Sequence, residues 1–191
     1  MEKSCKLFGN KRVVAAIRRM DDLPEALYHP NIETIIILGG DINYLSGMIK
    51  KARAAGKTFL VHLDLLEGIG KDRAGVHLLA RMNLDGIITT KSNLVKCALD
   101  EGMLAVQRFF MVDSESLKTA IKVAQNVTPH AVEILPATVP AYVVEELKNA
   151  LGVPVMAGGL LKTEEDVREA LSKGIMAIST SLRKLWNISL N

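Results

Sequence analysis

The chain has 191 residues, 49% of them hydrophobic and 24% charged, which excludes a large disordered tail and fits a single domain over 1–191. The formal net charge of +3 is too small to argue by itself for a nucleic-acid binder. No run approaches the roughly 18 apolar residues of a membrane span, and no apolar leader follows Met1.

Aromatic residues are only 4%, so the core is built from Ile, Leu, Val, Ala and Met. From the N-terminus onward, short β-rich runs alternate with helical patterns. The runs are Val13–Ile17, Thr34–Leu38, Thr58–Asp64, Gly86–Thr89, Leu104–Phe109, Ala131–Leu135, Val153–Ala157 and Met176–Ser179. Most are apolar at both parities, as parallel strands covered on both faces must be.

The segments between them carry helix ends. Asp21–His29 is a helix of little more than two turns, and Gly56 and Gly102 each sit between a helical pattern and the next strand, where positive φ is common. Asp113 or Ser114 caps a helix toward Val127, with Pro129 beyond it, and Thr163 with Asp166 forms a capping box opening a helix that Gly174 closes. Eight βα units in a row favour a closed parallel sheet over an open one, giving a compact (β/α)8 TIM-like barrel. At this length, below the usual ~250 residues, its connections are short.

In such a barrel the functional groups stand at the C-terminal ends of strands. Gly158 and Gly159 follow the seventh strand, and Ser179, Thr180 and Ser181 follow the eighth, leading into a short final helix toward Trp186. Glycines allow close backbone approach, and hydroxyls and N–H groups at a helix start favour an anion, so the two turns read as a phosphate cup. Each motif alone reads equally well as a turn or a cap.

Four further polar groups reach the same mouth. Leu60, His62 and Asp64 share one parity, which sets Asp64 at the end of the third strand with His62 one layer below. Glu133 is the one acid of the sixth strand, and a carboxylate in an apolar run needs a partner, for which Arg108 on the fifth strand is suited. A structural ion pair explains both as well as ligand contact does. Lys91 follows the fourth strand, and one of Arg18 and Arg19 faces the mouth, the other solvent. Pro136 and Pro140 stiffen the turn after the sixth strand. No metal-ligand spacing, P-loop or dinucleotide fingerprint occurs, so no metal and no cofactor are expected. Cys5 and Cys97 lack partner spacing and are expected to be free thiols in a reducing, cytoplasmic setting.

Seven blocks in order give the chain a family resemblance. They are Val14-Ala15-Ala16-Ile17-Arg18, Val61-His62-Leu63-Asp64-Leu65 with Glu67-Gly68, Gly86-Ile87-Ile88-Thr89-Thr90-Lys91, Gln107-Arg108-Phe109-Phe110, Val132-Glu133-Ile134-Leu135-Pro136, Met156-Ala157-Gly158-Gly159-Leu160, and Ile178-Ser179-Thr180-Ser181 with Leu185-Trp186. The sequence resembles the glycerol-3-phosphate-responsive antiterminators, regulators of bacterial glycerol uptake operons. The resemblance implies an effector ligand, sn-glycerol 3-phosphate, and a partner, the leader mRNA of glycerol-utilisation genes, whose premature termination is prevented. It implies phosphate contacts from Gly158, Gly159, Thr180 and Ser181, with Asp64, Lys91, Arg108 and Glu133 as mouth groups. Ala137 stands where relatives are expected to carry Gly after the Leu-Pro.

Three function classes follow. A ligand-gated RNA-binding regulator would use the basic residues enriched in 1–60, including Arg18 and Arg19, and the Arg183-Lys184 pair, although no RNA-recognition signature occurs. An enzyme acting on a phosphorylated metabolite would use Asp64 and Glu133 as acid and base and Lys91 as a Schiff-base amine, but no nucleophile with an adjacent base accompanies them. A metabolite-binding module with a protein partner is the third. No catalytic residue is assigned, and the oligomeric state, a homo-oligomer included, stays open.

Overall fold

The computed structural model describes residues 7–9 and 11–188, and within them eight parallel strands close into a barrel in sequence order. The strands are β1 (Val13–Ile17), β2 (Thr34–Ile37), β3 (Thr58–His62), β4 (Gly86–Thr89), β5 (Leu104–Phe110), β6 (Ala131–Leu135), β7 (Val155–Gly158) and β8 (Ala177–Thr180). The intervening α-helices are α1 (Leu23–Tyr28), α2 (Ile42–Ala54), α3 (Arg73–Arg81), α4 (Ser92–Asp100), α5 (Ser114–Val127), α6 (Ala141–Leu151) and α7 (Glu164–Ser172). Cys97, on α4, is a free thiol, while Cys5 lies outside the described residues.

Strand parity divides the core into two parts. Val14, Ile36, Leu60, Ile88, Val106 and Met156 fill the barrel interior. Residues of the other parity, such as Ala15, Ile35, Phe59 and Ile87, pack outward against the helices. Both faces are therefore apolar, which is the pattern that made the strands visible in sequence.

The helix ends behave as the sequence indicates. Asp113 caps α5 by accepting from the Ser116 N–H at 2.8 Å, and the Thr163–Asp166 capping box opens α7. Gly56 and Gly102 take φ of +69° and +74°.

Two expectations need correction. The third strand stops at His62 rather than Asp64, and Leu63–Leu65 form a single 3-10 turn. The cause is sideways attraction: the Asp64 carboxylate accepts hydrogen bonds from Thr89 Oγ1 at 2.5 Å, and from Thr90 N and Thr90 Oγ1 at 2.8 Å each. Secondly, the final helix is a five-residue 3-10 segment, Arg183–Asn187, too short to carry an appreciable macrodipole. It stands in place of an eighth helix, with Trp186 wholly buried and its Nε1–H donating to the Thr180 carbonyl at 3.1 Å. This economy and the six-residue α1 account for the small size of the barrel. Other strand ends shift by one or two residues: β2 stops before Leu38, β5 reaches Phe110, β7 spans Val155–Gly158 and β8 spans Ala177–Thr180.

Candidate functional site

Inside the mouth, one step above the apolar interior, lies a charged network. Arg108 and Glu133 are register partners in the β5–β6 ladder and form an ion pair through Arg108 Nε and Glu133 Oε2. Glu133 is fully buried, and its other oxygen accepts from Ser179 Oγ at 2.5 Å. A buried carboxylate is tolerable only when its lone pairs are satisfied in this way. Gly158 belongs to the same arrangement, because a Cβ there would stand 2.3 Å from Ser179 Oγ and 2.9 Å from the Ser179 carbonyl. Its lack of a side chain serves the close passage of β7 past β8.

Above this network opens a cavity of about 210 Å³, a volume suited to a small metabolite rather than a drug-sized molecule. Its polar lining comes from Arg18, Arg108, Gly159, Ser179, Thr180 and Ser181, and Leu38, Leu135, Leu160 and Leu182 supply apolar walls. Gly159 and Leu160 both have positive φ, +78° and +60°, a conformation that costs a non-glycine residue roughly 1–3 kcal/mol. Among the described residues, the backbone N–H groups of Gly159, Leu160 and Ser181 find no backbone acceptor. Thr180 is held firmly, with its Oγ1 accepting from Leu182 N at 3.1 Å and its carbonyl held by Trp186. Ala137 is wholly buried with its N–H donating to the Gly159 carbonyl at 3.3 Å, so a methyl is accommodated where glycine was expected.

The β3–β4 side of the mouth is a second polar cluster. Burial pushes the Asp64 carboxyl up, but the hydrogen bonds from Thr89 and Thr90 outweigh it and hold the pKa below its ordinary value. His62 points into the barrel and is 3% exposed. Burial, reinforced by the Arg108 guanidinium, lowers its pKa to about 4, so the ring is neutral at pH 7. Its Nδ1 lies 4.0 Å from Asp64 Oδ2, which for a neutral ring is not an ion pair, and has no hydrogen-bond partner among the described residues. Lys71 donates to the Leu66 carbonyl, and burial, with Lys91 nearby, lowers its pKa.

Five residues singled out by sequence, Arg108, Gly159, Ser179, Thr180 and Ser181, thus meet at one cavity. Gly158 and Glu133 stand beneath it, while Asp64 and Lys91 lie outside its lining. Ser179 faces the cavity but commits its hydroxyl to Glu133. The remaining basic candidates separate. Arg18 lines the cavity, whereas Arg19 is exposed and 3.9 Å from Asp21. Arg183 pairs with Asp22 at 3.5 Å and with Glu25, and Lys184 is exposed. The enrichment of basic residues in 1–60 does not form one surface: Arg12 and Lys57 bond backbone carbonyls, at Ile175 and Ile32, while Arg18 and Arg19 follow the C-terminal end of β1, and Lys3 and Lys6 lie outside the described residues. Sequence reasoning passed over the leucine walls and Lys71. The length of the β3–α3 connection was the one signal for Lys71.

Among the described residues no cluster of His, Cys, Asp and Glu is arranged to hold a metal ion, and no helix is long and apolar enough to cross a membrane.

Comparison with known proteins agrees with the architecture. The chain is 32% identical to a glycerol uptake operon antiterminator regulatory protein from Listeria monocytogenes str. 4b F2365, with a TM-score of 0.88 over 95% of this chain and 98% of that one. It is 33% identical to a glycerol uptake operon antiterminator-related protein from Thermotoga maritima MSB8, with a TM-score of 0.83 over 93% and 99% of the two chains. The uncharacterized protein YgcP of Escherichia coli K12 is 34% identical over 187 residues, 96% of this chain and 95% of that protein. The family model for the glycerol-3-phosphate responsive antiterminator matches residues 13–186, from the first residue of β1 to the buried Trp186. The chain belongs to that family of regulators.

Proposed function

We propose that this protein is a metabolite-gated regulator of transcription termination that binds sn-glycerol 3-phosphate at the cavity between β7 and β8, contacts the leader mRNA of glycerol-utilisation genes, and catalyses no reaction on its ligand. The observation that carries this reading is the convergence on one small cavity of Arg18, Arg108, Thr180, Ser181, Gly159 and Leu160, with the Gly159, Leu160 and Ser181 N–H groups finding no backbone acceptor among the described residues. Dianions are held by such donor sets, with guanidinium groups adding charge-assisted bonds.

The cavity's leucines suit a short carbon chain, and the Asp64 cluster lies across the mouth as a polar group for hydroxyls. Support for a binding role over a catalytic one comes from what the carboxylates already do. Glu133 is spent on Arg108 and Ser179, and Asp64 on Thr89 and Thr90, so neither is a free acid or base. Ligand binding acts on RNA affinity by favouring one arrangement of the mouth loops over another.

Calorimetry with glycerol 3-phosphate, glycerol and inorganic phosphate, repeated with a leader transcript, tests the reading. The phosphate ester is expected to bind more tightly than either fragment and to change RNA affinity in a salt-sensitive manner. Equal binding of glycerol, or RNA affinity indifferent to the ligand, would contradict it.

A further inference from the structure

We infer that the RNA-binding surface is the outward face of α2 and α3, on the side wall of the barrel, and not the rim of the mouth. The inference rests on the RNA-binding reading above and adds the surface to it. Along α2 the sequence places Lys50, Lys51 and Arg53 and no acidic residue, and along α3 it places Arg73, His77 and Arg81 and again no acidic residue. All six side chains are exposed. The two helices follow consecutive strands, and Arg53 Nη2 donates to the Asn83 carbonyl at 2.9 Å, tying the end of α2 to the turn after α3.

The carboxylates of these two units stand at the helix starts rather than along the basic face. Asp41 and Asp72 are turned onto the starts of the same helices, accepting from Asn43 N at 2.8 Å and Gly75 N at 2.9 Å. Glu101 borders the face and takes up His77 alone, at 3.0 Å. Across the barrel the pattern reverses. The helix α6 carries Glu145 and Glu146 against Lys148, and α7 carries Glu164, Glu165, Asp166 and Glu169 against Arg168. A net charge of only +3 therefore hides a molecule with one basic and one acidic side.

At the mouth, by contrast, Arg183 is paired with Asp22 and Glu25 and Arg18 belongs to the cavity lining, which leaves Arg19, Lys91 and Lys184 as scattered exposed cations rather than a row along one helix face. Charge complementarity thus points the phosphodiester backbone to α2 and α3. Tyr44, 71% exposed on α2, offers a ring for base stacking. Large exposed apolar side chains on these two helices are limited, among the described residues, to Tyr44 and Leu78, which is too little apolar surface for a helix pair lying in a lipid interface. The connection leading into α3 carries Asp64 and Lys71 at the mouth, so the helix offered to RNA is attached to a loop beside the ligand cavity.

The test compares two double substitutions of equal charge change in the full chain, Lys50→Glu with Lys51→Glu on α2 and Lys118→Glu with Lys122→Glu on α5. Each is titrated, with sn-glycerol 3-phosphate present and absent, against a fluorescein-labelled random-sequence RNA of about 40 nucleotides, between about 50 and 200 mM salt. The α2 pair is expected to lose about tenfold or more in affinity and to flatten the log–log salt slope by about 1–2, while the α5 pair stays within about twofold of wild type. Lys50→Gln with Lys51→Gln, expected to fall between, serves if the charge reversal does not fold. Wild-type binding that both pairs weaken equally, or that the α2 pair leaves unchanged, overturns the surface while leaving the RNA reading in place. No binding of this RNA by wild type in either ligand state, or binding only to vesicles containing phosphatidylserine, overturns the surface, and absence of leader-transcript binding in the calorimetry above overturns both.

Discussion

Arg108 and Glu133 sit opposite one another in adjacent strands and form an ion pair with the Glu133 side chain wholly out of solvent. Such a pair is neutral to mildly unfavourable against an apolar substitute, but breaking it from one side leaves a bare buried charge. Glu133→Ala is therefore expected to lower unfolding free energy in urea by about 3–5 kcal/mol, with Arg108→Ala comparably harmful. Replacement of both by a packed apolar pair is expected to recover most of that stability while abolishing glycerol 3-phosphate binding, because Arg108 also lines the cavity. Full binding in that double variant would show that the guanidinium is structural only.

Gly158→Ala is expected to damage the site without touching a ligand atom. The new methyl carbon would meet Ser179 Oγ at 2.3 Å and so push β8 and its hydroxyls away from β7. Calorimetry is expected to read at least about a tenfold loss of ligand affinity, since misplacing a hydrogen-bonding group by an ångström forfeits bonds worth about 1.5–3 kcal/mol each to a charged partner. Gly102→Ala provides the contrast. A Cβ there meets nothing within 4 Å, so the cost is confined to its positive φ and appears in stability but not in binding.

The pH dependence of stability follows from His62. Its pKa is about 4 in the folded protein and near 6.5 in the unfolded chain, so between those values the unfolded state binds the extra proton. The stabilisation is complete above 6.5 and is lost progressively as pH falls toward 4. Urea midpoints measured across this window are expected to fall less steeply in His62→Asn than in wild type. Asp64, whose pKa is also depressed, adds a further loss as pH falls below 3.8, where the unfolded chain takes up a proton before the folded carboxylate does. Identical slopes in the two proteins would remove His62 from this account.

Trp186 is the only tryptophan and is anchored to Thr180, a residue of the cavity lining. Trp186→Phe leaves the Thr180 carbonyl without its donor and is expected to cost about 1–3 kcal/mol in stability together with weaker ligand binding. In wild type, ligand addition is expected to alter tryptophan fluorescence through this contact, an effect that titration in a fluorimeter reads directly.

How far the sequence discloses this molecule differs from part to part. The barrel is legible because strands covered on both faces are apolar at most positions of both parities, and because helix ends at Gly56 and Gly102 need positive φ. The Arg108–Glu133 pair is legible for the same reason in reverse, since a carboxylate in an apolar strand must be partnered. Asp64 misleads because its position depends on Thr89 and Thr90, supplied by another strand, so local alternation cannot place it. Arg18 and Arg19 are indistinguishable in sequence, and only the direction of the chain leaving β1 sends the first into the cavity and the second to Asp21. The leucine walls look like ordinary strand-end and loop residues until the C-terminal ends of β2, β6, β7 and β8 are brought together. The basic face of α2 and α3 is present in the sequence as helices without acids, yet a total charge of only +3 conceals it.

A crystal structure of the chain grown with sn-glycerol 3-phosphate decides whether the β7–β8 cavity is the ligand site. Phosphorus density is expected there, with oxygens within hydrogen-bonding distance of the Gly159 and Ser181 amides and the Arg108 or Arg18 guanidinium. A phosphate group bound elsewhere, with that cavity closed over by Leu160 and Leu182, would contradict it.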